Sequence, residues 1–511
     1  MDDRGRVSIT QLPTGVPGLD DVLGGGLPEL SFNLIVGGPG CGKTTLAHQI
    51  MFANATAERP GLYFTIVGEP PLKMLRYQQQ YTFFDPAKVN GMIRFSSLSG
   101  EVEVGLPAVL ESIVRQVEAL SPGFVVVDSF RSVLRVGGEA ELGSVAVHDF
   151  IQRLAVHLTA WEATTFLVGE FPEPEAVDHP VFTVADSLVF LNQTIERNSV
   201  VRKIRVVKMR GQGDLPGLHT FRITRDGLKV FPRLPKPEAD FAQSAASPAD
   251  ASRQERLSTG VRGLDEMLGG GIPRGYSTMV AGPSGSGKTT LAGQFVAEGV
   301  SRGERGVLVV FEKHPAGYLR TTVLGGDLGR MVQDGHIALA YLRPLDLSVD
   351  ETLYELRETI ARTKAQRVVI DSLSGFEMAV SPGFREDFRE SLYRLVGVLT
   401  GLGVTVMMTI EIEDGYTELR LGPRENAFLT DALILQRYVE LDGALKRVMT
   451  VVKVRGSDHS TDLRFYEVNA RGITVGEPIR VYHHGLLTAH PRSSLESRPR
   501  GPSRRDRRQQ S

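Results

Sequence analysis

The pattern of apolar and polar positions predicts the same kind of domain twice along the chain. Short apolar runs rich in β-branched residues alternate with mixed stretches of roughly 10 to 25 residues. Four such runs recur in each half: FNLIVGG, FVVVDS, TTFLVGE and SLVFLNQ in the first, and STMVAGP, RVVIDS, VTVMMTIE and ALILQRY in the second. Runs that are apolar on both faces indicate strands of a parallel sheet covered by helices. The predicted fold class is therefore α/β, with two tandem domains that each hold a mostly parallel sheet.

The two halves repeat one another at a fixed spacing. LPTGVPGLDDVLGGGLP at 12–28 matches LSTGVRGLDEMLGGGIP at 257–273, a shift of 245 positions. The same shift relates VVKMRG at 206–211 to VVKVRG at 451–456. Self-similarity of this kind indicates a tandem duplication of a module of about 230 residues.

Composition changes where the modules end. Residues 235–255 are rich in Pro, Ala, Ser and Asp, and residues 483–511 are rich in Arg with almost nothing apolar. These compositions are typical of a solvated linker and of a disordered, basic tail. We therefore predict domains at 1–234 and 256–482. The tail is either a solvated end or a docking segment for a protein or nucleic acid.

Bulk composition places the protein among ordinary globular chains and excludes several classes. Of 511 residues, 41% are hydrophobic and 23% charged, and the formal net charge of −2 gives no general attraction to DNA. A single cysteine, Cys41, rules out an internal disulfide and a cysteine-based metal site. No apolar run approaches the roughly 18 residues that span a bilayer. We expect a cytoplasmic protein without a membrane partner.

Each module carries the motif G-x-x-x-x-G-K-T between a predicted strand and a predicted helix. In such a phosphate loop the backbone N–H groups converge on the β-phosphate, and the helix N-terminus adds its positive end. Lys43 and Lys288 are predicted to reach the β- and γ-phosphates of ATP. The residues assigned to ATP binding are Gly37, Gly40, Gly42, Lys43, Thr44 and Thr45 in the first loop, and Gly282, Gly285, Gly287, Lys288, Thr289 and Thr290 in the second. Cys41 is interpreted as a small space-filling residue of its loop.

A carboxylate at a strand end supplies the second part of a nucleotide site. VVVDS ends at Asp128 and VVIDS at Asp371, where the carboxyl edge of a parallel sheet meets its ligand. With the hydroxyls of Thr44 and Thr289, these aspartates are predicted to hold Mg²⁺ at the Walker B position. A strand-end capping role is the alternative for each aspartate taken alone.

Hydrolysis also needs a group that positions water, and here the modules differ. VLVVFEKHP places Glu312 at a predicted strand end, whereas LYFTIVGEPP places Glu69 after a glycine. Both glutamates are candidates, with a surface position as the alternative reading. Each module also has a Lys-x-Arg pair before a glycine. Those pairs, Lys208 with Arg210 and Lys453 with Arg455, are predicted to reach a neighbouring subunit's γ-phosphate, or are simply solvated.

Together these motifs resemble the KaiC family, whose double-domain RecA-like ATPases include the circadian clock protein of cyanobacteria. The stretches that carry the resemblance are STGVRGLDEMLGGGIP, GPSGSGKTT, VVIDSLSG, TDALILQRYVEL and VVKVRGSDH, and it covers roughly residues 8 to 480. The resemblance implies two stacked hexameric rings of RecA-like domains, with ATP bound between adjacent subunits. It also carries the roles of the loop lysines and threonines, the aspartates and the Lys-x-Arg pairs onto the positions named above.

The sequence departs from the clock-type pattern at the catalytic positions. Where clock-type members have two adjacent glutamates, the second module has Glu312 followed by Lys313, and the first reads VGE at 67–69. The clock-type Ser and Thr phosphoacceptors are replaced by Ala427 and Phe428, neither of which has a hydroxyl. Thr430 is the substitute acceptor, or merely packs locally.

Three functions follow from these residues. The leading hypothesis is an ATP-hydrolysing, hexameric switch whose nucleotide state is read by a signalling protein partner. The alternatives are a Ser/Thr autokinase and a DNA-dependent ATPase of the RecA/RadA type, which would bind single-stranded DNA in a salt-dependent way. Within the first hypothesis, the first ring either hydrolyses ATP or binds it only for assembly.

Overall fold

A computed structural model describes residues 9–66, 71–129, 145–160, 162–171, 180–196, 199–233, 255–311, 314–322, 324–342, 348–379, 388–412, 430–441 and 444–479. The chain divides into two compact units, Met1–Pro235 and Lys236–Ser511. The predicted linker falls largely outside the described residues, and the predicted tail falls wholly outside them.

The first unit alternates strands and helices in its first two thirds and then continues with strands. Its strands are β1 Gln11–Leu12, β2 Leu27–Pro28, β3 Phe32–Gly37, β4 Gly61–Thr65, β5 Ile93–Ser97, β6 Phe124–Asp128, β7 Thr164–Glu170, β8 Ser187–Glu196, β9 Ser199–Met209, β10 His219–Thr224 and β11 Gly227–Phe231. Its helices are α1 Leu19–Leu23, α2 Lys43–Asn54, α3 Pro71–Gln78, α4 Ser99–Val104, α5 Leu106–Leu120, α6 Val145–Ala160 and α7 Pro180–Val184, with a 3₁₀ turn at Pro86–Lys88.

Within the described residues of this unit, nine strands form one sheet in the order β11-β10-β9-β8-β3-β7-β6-β4-β5. The strands from β8 to β5 in this order pair in parallel, and β8 to β11 add an antiparallel extension. Side chains alternate across β3: Leu34 and Val36 pack in one core cluster and Ile35 in the other. The sheet is therefore covered by an apolar layer on each face, which the continuous apolar runs predicted.

The second unit repeats the first. Its strands are β12 Arg256–Leu257, β13 Ile272–Pro273, β14 Ser277–Gly282, β15 Gly306–Val310, β16 Ile337–Tyr341, β17 Arg367–Asp371, β18 Thr405–Glu411, β19 Ala432–Leu441, β20 Ala444–Val454, β21 Arg464–Asn469 and β22 Gly472–Pro478. Its helices are α8 Arg262–Met267, α9 Lys288–Ser301, α10 Pro315–Thr321, α11 Gly325–Gln333, α12 Val349–Thr363, α13 Leu373–Ala379 and α14 Phe388–Gly401. The described strands of its main sheet follow the order β16-β15-β17-β18-β14-β19-β20-β21-β22.

Taken from β22 to β16, that order corresponds strand for strand to the order of the first unit from β11 to β5. The predicted α/β class with two tandem, mostly parallel sheets is therefore confirmed. The register agrees as well: Gly61 of β4 pairs with Phe124 of β6, and Gly306 of β15 pairs with Arg367 of β17. Gly61 and Gly306 are 245 positions apart, the spacing of the sequence repeat. What the apolar runs did not predict is the antiparallel extension of each sheet.

A fully buried arginine anchors the second unit where the first has Phe124. The Arg367 side chain is 0% exposed, and its Nε lies 2.5 Å from a carboxylate oxygen of Glu304. One terminal nitrogen donates to the carbonyls of Ser258 and Phe295 at 2.7 and 2.8 Å. The guanidinium also lies over the Phe295 ring, 4.6 Å from its centroid. Arg367 thus ties the unit's first strand segment, helix α9 and the sheet together.

Replacing Arg367 by methionine is expected to destabilise the second unit by about 3–5 kcal/mol, because it removes a fully buried charge that pairs with one oxygen of Glu304 and donates to the Ser258 and Phe295 carbonyls. The other oxygen of Glu304 keeps Arg274 at 3.8 Å. For a domain of this size the destabilisation is a fall in melting temperature of roughly 10 °C, measurable by calorimetry. Arg262→Met is the matched control, since Arg262 is 94% exposed and pairs with Glu266 one helical turn away. Equal melting temperatures for the two variants would contradict the anchoring role.

Candidate nucleotide-binding sites

The two predicted phosphate loops connect a central strand to a helix, as the motif requires. The first runs from the end of β3 at Gly37 to the start of α2 at Lys43, and the second from β14 to α9. Gly42 and Gly287 have φ of 102° and 101°, a backbone conformation that favours glycine. A Cβ at Gly42 would lie 2.6 Å from Ile223, and one at Gly287 would lie 2.9 Å from Val468. The glycines are therefore needed for both backbone conformation and space.

The loop lysines turn back over their own loops. Lys43 Nζ donates to the Gly38 carbonyl at 2.6 Å, and Lys288 Nζ donates to the Gly282 and Pro283 carbonyls at 2.8 Å each. Each ammonium therefore lies inside the concave side of the loop, where the oxygen of a bound phosphate would compete with these carbonyls. Cys41 is fully buried, which agrees with its interpretation as a space-filling residue.

The predicted magnesium ligands come together in the first unit. The Thr44 hydroxyl donates to a carboxylate oxygen of Asp128 at 2.7 Å. Burial raises the pKa of Asp128, while hydrogen bonds from Thr44 and Tyr63 and the nearby Lys43 charge oppose the rise. A hydroxyl and a carboxylate at a strand end are the hard oxygen ligands that Mg²⁺ prefers. The residues present therefore fit Mg²⁺.

In the second unit the corresponding residues line one cavity of about 370 Å³, within the size range of small-molecule sites. Its lining is Ser284, Gly285, Gly287, Lys288, Thr289, Thr290, Val310, Tyr318, Asp371, Ser372, Glu411 and Val468. Thr289 makes no hydrogen bond to Asp371 in the part of the chain that the structure describes, unlike Thr44 and Asp128. Among the described residues no three His, Cys, Asp or Glu side chains are placed to hold a metal ion together.

Two tyrosines that the sequence motifs do not indicate also lie at these sites. Tyr63 donates its hydroxyl to Asp128 at 2.7 Å, and Tyr318 donates to Asp371 at 2.9 Å. Burial and the adjacent carboxylate raise the pKa of both tyrosines well above the ordinary value. Each tyrosine therefore remains a hydrogen-bond donor to its aspartate. Their sequence surroundings, an apolar strand and a short helix, indicate only core packing.

Two glutamates were also missed. Glu170 ends β7 and Glu411 ends β18, and each pairs in register with the first glycine of its unit's phosphate loop, Gly37 or Gly282. Both strands lie between the loop strand and the aspartate strand of their sheets. The charge of Glu170 helps to raise the pKa of Asp128. A carboxylate ending an apolar strand was the signal used for the aspartates, and it would have found both glutamates.

The predicted water-positioning residues Glu69 and Glu312 lie outside the described residues, as do Ala427 and Phe428. Thr430 is described, and its side chain is fully buried.

The Lys-x-Arg pairs lie away from the phosphate loop of their own unit. Lys453 pairs with Leu433, and Leu433 pairs with Met279 of the loop strand β14. Met279 is three residues before Gly282, where the loop begins, so Lys453 lies about 10 Å from the loop along the strand direction. Its ammonium donates to the Thr430 carbonyl at 2.5 Å, which precedes β19, and Arg455 contacts Asp431 at 3.5 Å. The cation pair therefore points away from the loop.

The first unit repeats this arrangement. Lys208 donates to the carbonyls of Phe182 and Thr183 at 3.1 and 3.0 Å, and Arg210 pairs with Asp186 at 3.3 Å. Partial burial and the neighbouring Arg210 lower the pKa of Lys208, and Lys453 is affected in the same way by Arg455. In neither unit does the pair reach its own loop.

A buried histidine packs beneath the first site. The His48 ring is 0% exposed and stacks on Tyr63 with 4.5 Å between ring centroids. Burial lowers the pKa of His48 to about 3, opposed only in part by Gln78. The corresponding residue of the second unit, 245 positions on, is Gly293. The first unit therefore holds a neutral imidazole that the second lacks.

His48 is expected to make the first unit acid-sensitive. Its native pKa of about 3 lies below the ordinary 6.5, so between these values the unfolded chain binds one more proton than the folded chain. Stability is complete above the ordinary value and falls as the pH drops, by about 2 kcal/mol at about pH 5. His48→Phe keeps a ring in the stack and should remove this loss in urea titrations at neutral and acid pH. An unchanged pH dependence in His48→Phe, or the same change in the control His157→Gln, would contradict the assignment.

Comparison with known proteins agrees with this architecture along nearly the whole chain. A family model described as "ATPase: KaiC" matches twice, at residues 12–235 and 257–480. The chain is 27% identical over 502 residues to the circadian clock oscillator protein KaiC of Rippkaea orientalis, covering 96% of this chain and 93% of that protein. It is likewise 27% identical to the circadian clock protein KaiC3 of Synechocystis, over 518 residues and 97% of each chain. No helix among the described residues has both the length and the apolar character needed to cross a membrane.

Proposed function

Because the chain belongs to the KaiC family of ATPases, we propose that it is an ATP-hydrolysing switch built as a hexameric ring of identical chains. Both phosphate loops bind ATP with Mg²⁺, and slow hydrolysis changes the conformation that a signalling protein partner recognises. The observation that carries this proposal is the placement of each Lys-x-Arg pair about 10 Å before its own loop, turned away from it.

The chemistry follows from that placement. The loop N–H groups and Lys43 or Lys288 bind the phosphates, and Thr44 with Asp128, or Thr289 with Asp371, holds the Mg²⁺. Bound Mg²⁺ supplies positive charge that offsets the charge developing on the γ-phosphate. Lys453 and Arg455 of one chain supply further positive charge to the nucleotide of the next, since they do not reach their own. ATP thereby stabilises the association of neighbouring chains, and its hydrolysis weakens that association.

Autophosphorylation is the second candidate, and two observations disfavour it. Ala427 and Phe428 have no hydroxyl. Thr430, the substitute acceptor, is fully buried, and its backbone carbonyl accepts the Lys453 hydrogen bond.

The test is to incubate the full chain with γ-labelled ATP and Mg²⁺, and to count free phosphate and protein-bound label from the same sample. Free phosphate with unlabelled protein supports the ATPase switch. Label on the protein that disappears in Thr430→Ala supports the autokinase instead. Absence of both products overturns ATP hydrolysis. Turnover that appears only with single-stranded DNA and falls with salt supports the RecA/RadA-type alternative.

Two glutamates compete for the water-positioning role in the second unit. Glu312 is the sequence prediction, and Glu411 lines the cavity with Lys288 and Asp371. With Lys43→Ala silencing the first unit, replacing the water-positioning glutamate by glutamine is expected to lower turnover by about 100-fold with little change in ATP affinity. Replacement of the other glutamate should change turnover by less than about tenfold. Equal small effects of Glu312→Gln and Glu411→Gln would exclude both.

A further inference from the structure

In both units the aspartate predicted to hold Mg²⁺ accepts a hydrogen bond from a buried tyrosine. Tyr63 is 0% exposed and donates to Asp128 at 2.7 Å, and Tyr318 is 4% exposed and donates to Asp371 at 2.9 Å. A hydrogen bond from a hydroxyl to a carboxylate is among the stronger ones in proteins. Each aspartate therefore has one oxygen fixed by a group that belongs to none of the nucleotide motifs.

The two tyrosines come from different places in the repeat. Tyr63 lies on strand β4, and the residue in its place on β15, 245 positions on, is Leu308. Tyr318 lies on helix α10, whose counterpart α3 has Lys73 at the repeat spacing and Met74 when the helix starts are aligned. Neither unit keeps the other's tyrosine. Duplication of one ancestral module therefore does not account for a tyrosine at both aspartates.

Both hydroxyls are held by rigid surroundings. The Tyr63 ring packs against the His48 ring, with centroids 4.5 Å apart, and against the Phe95 ring at 5.4 Å. The Tyr318 ring is buried in the hydrophobic core cluster of the second unit. Because each ring is fixed, its hydroxyl selects one orientation of the carboxylate it meets.

The remaining contacts of the two carboxylates differ. In the first unit Thr44 donates to the same oxygen of Asp128 as Tyr63 does. In the second unit Tyr318 donates to one oxygen of Asp371, and Thr409 of β18 donates to the other. The tyrosine is thus the shared element of two otherwise different hydrogen-bond sets.

We propose that Tyr63 and Tyr318 are positioning residues that orient the Asp128 and Asp371 carboxylates toward the Mg²⁺ of bound nucleotide. The inference rests on the proposed nucleotide binding and deepens it. Groups that hydrogen-bond a metal-ligating side chain typically change metal affinity or activity by about 10- to 100-fold when removed. Loss of the hydroxyl should therefore weaken the binding that depends on Mg²⁺ and leave the binding of nucleotide alone intact.

The experiment measures the affinity of the full chain for a fluorescent, non-hydrolysable ATP analogue, with Mg²⁺ and with EDTA in its place. Tyr63→Phe is tested in a Lys288→Ala chain and Tyr318→Phe in a Lys43→Ala chain, so that only one unit binds. We expect about tenfold weaker binding with Mg²⁺ and unchanged binding in EDTA. Tyr77→Phe, at a 56% exposed residue of the first unit, and Tyr354→Phe, on α12 of the second, are the controls and should change neither affinity.

A second readout separates positioning from packing. The rise in melting temperature caused by Mg²⁺ with the analogue should shrink in each variant, while the rise caused by the analogue in EDTA stays the same. Equal weakening with and without Mg²⁺ would overturn the inference alone, since it would indicate general damage to the site. No change in either condition would also overturn it alone. A parent chain, with tyrosines intact, that binds no analogue would overturn the proposed function and this inference with it.

Discussion

Replacing Arg455 by alanine is expected to lower ATP turnover in the second unit by about 1,000-fold, while the same chain still binds ATP. The reason is geometric: Lys453 and Arg455 lie away from their own loop, held by Thr430 and Asp431. Removing Arg455 therefore leaves the chain's own phosphate loop intact and removes the charge that we propose it supplies to a neighbouring chain.

Mixing two variants that are each inactive in the second unit tests this directly. A chain with Arg455→Ala keeps its loop, and a chain with Lys288→Ala keeps its cation pair. An interface between them can therefore combine an intact loop with an intact pair. The mixture is expected to hydrolyse ATP in the second unit, above the sum of the separate rates. Arg262→Ala, an equal loss of charge at a 94% exposed side chain, should leave turnover unchanged. A mixture that shows only the summed rates would contradict action between chains.

Replacing Lys288 by alanine is expected to remove nucleotide from the second unit, with affinity at least about 100-fold lower. Lys288 Nζ lies inside the loop on the Gly282 and Pro283 carbonyls, so its loss removes the charge that a phosphate would meet there. Lys43→Ala is the matched change in the first unit. Bound nucleotide counted after rapid desalting should fall from two to one per chain in each variant.

The same two variants, Lys43→Ala and Lys288→Ala, distinguish a first ring that hydrolyses ATP from one that binds ATP only for assembly. If the first ring binds ATP mainly to assemble, Lys43→Ala should reduce the oligomer in size-exclusion chromatography with light scattering, and Lys288→Ala should reduce it less. An intact oligomer in Lys43→Ala would exclude an assembly role for the first ring.

The sequence predicted the parallel part of each sheet and the phosphate loops because their signals are local. An apolar run predicts a buried strand wherever it occurs, and a loop such as GPSGSGKTT depends on backbone conformation within a few residues. The internal repeat supported each prediction a second time: FVVVDS and RVVIDS both predict a buried strand that ends in an aspartate. These features needed no knowledge of which strand lies beside which.

What the sequence did not predict depends on contacts between distant residues. Tyr63 stands in the apolar run GLYFT, where an aromatic ring indicates core packing, and only the pairing of β4 with β6 brings it to Asp128, 65 positions away. Arg367 begins a strand, where a charged residue usually indicates a solvent-exposed strand end. Its side chain is nevertheless fully buried, because it pairs with Glu304 and donates to two backbone carbonyls. The Lys-x-Arg pairs were found from sequence, but their distance from their own loops follows only from strand register.

The separation of loop and cation pair within each sheet has a kinetic consequence. If a neighbouring chain completes each site, as proposed, the reaction order in protein is above one at concentrations at which assembly is incomplete. Dilution should lower the rate per chain even when ATP is saturating. A cell that makes more of this protein would then gain ATP turnover faster than it gains protein.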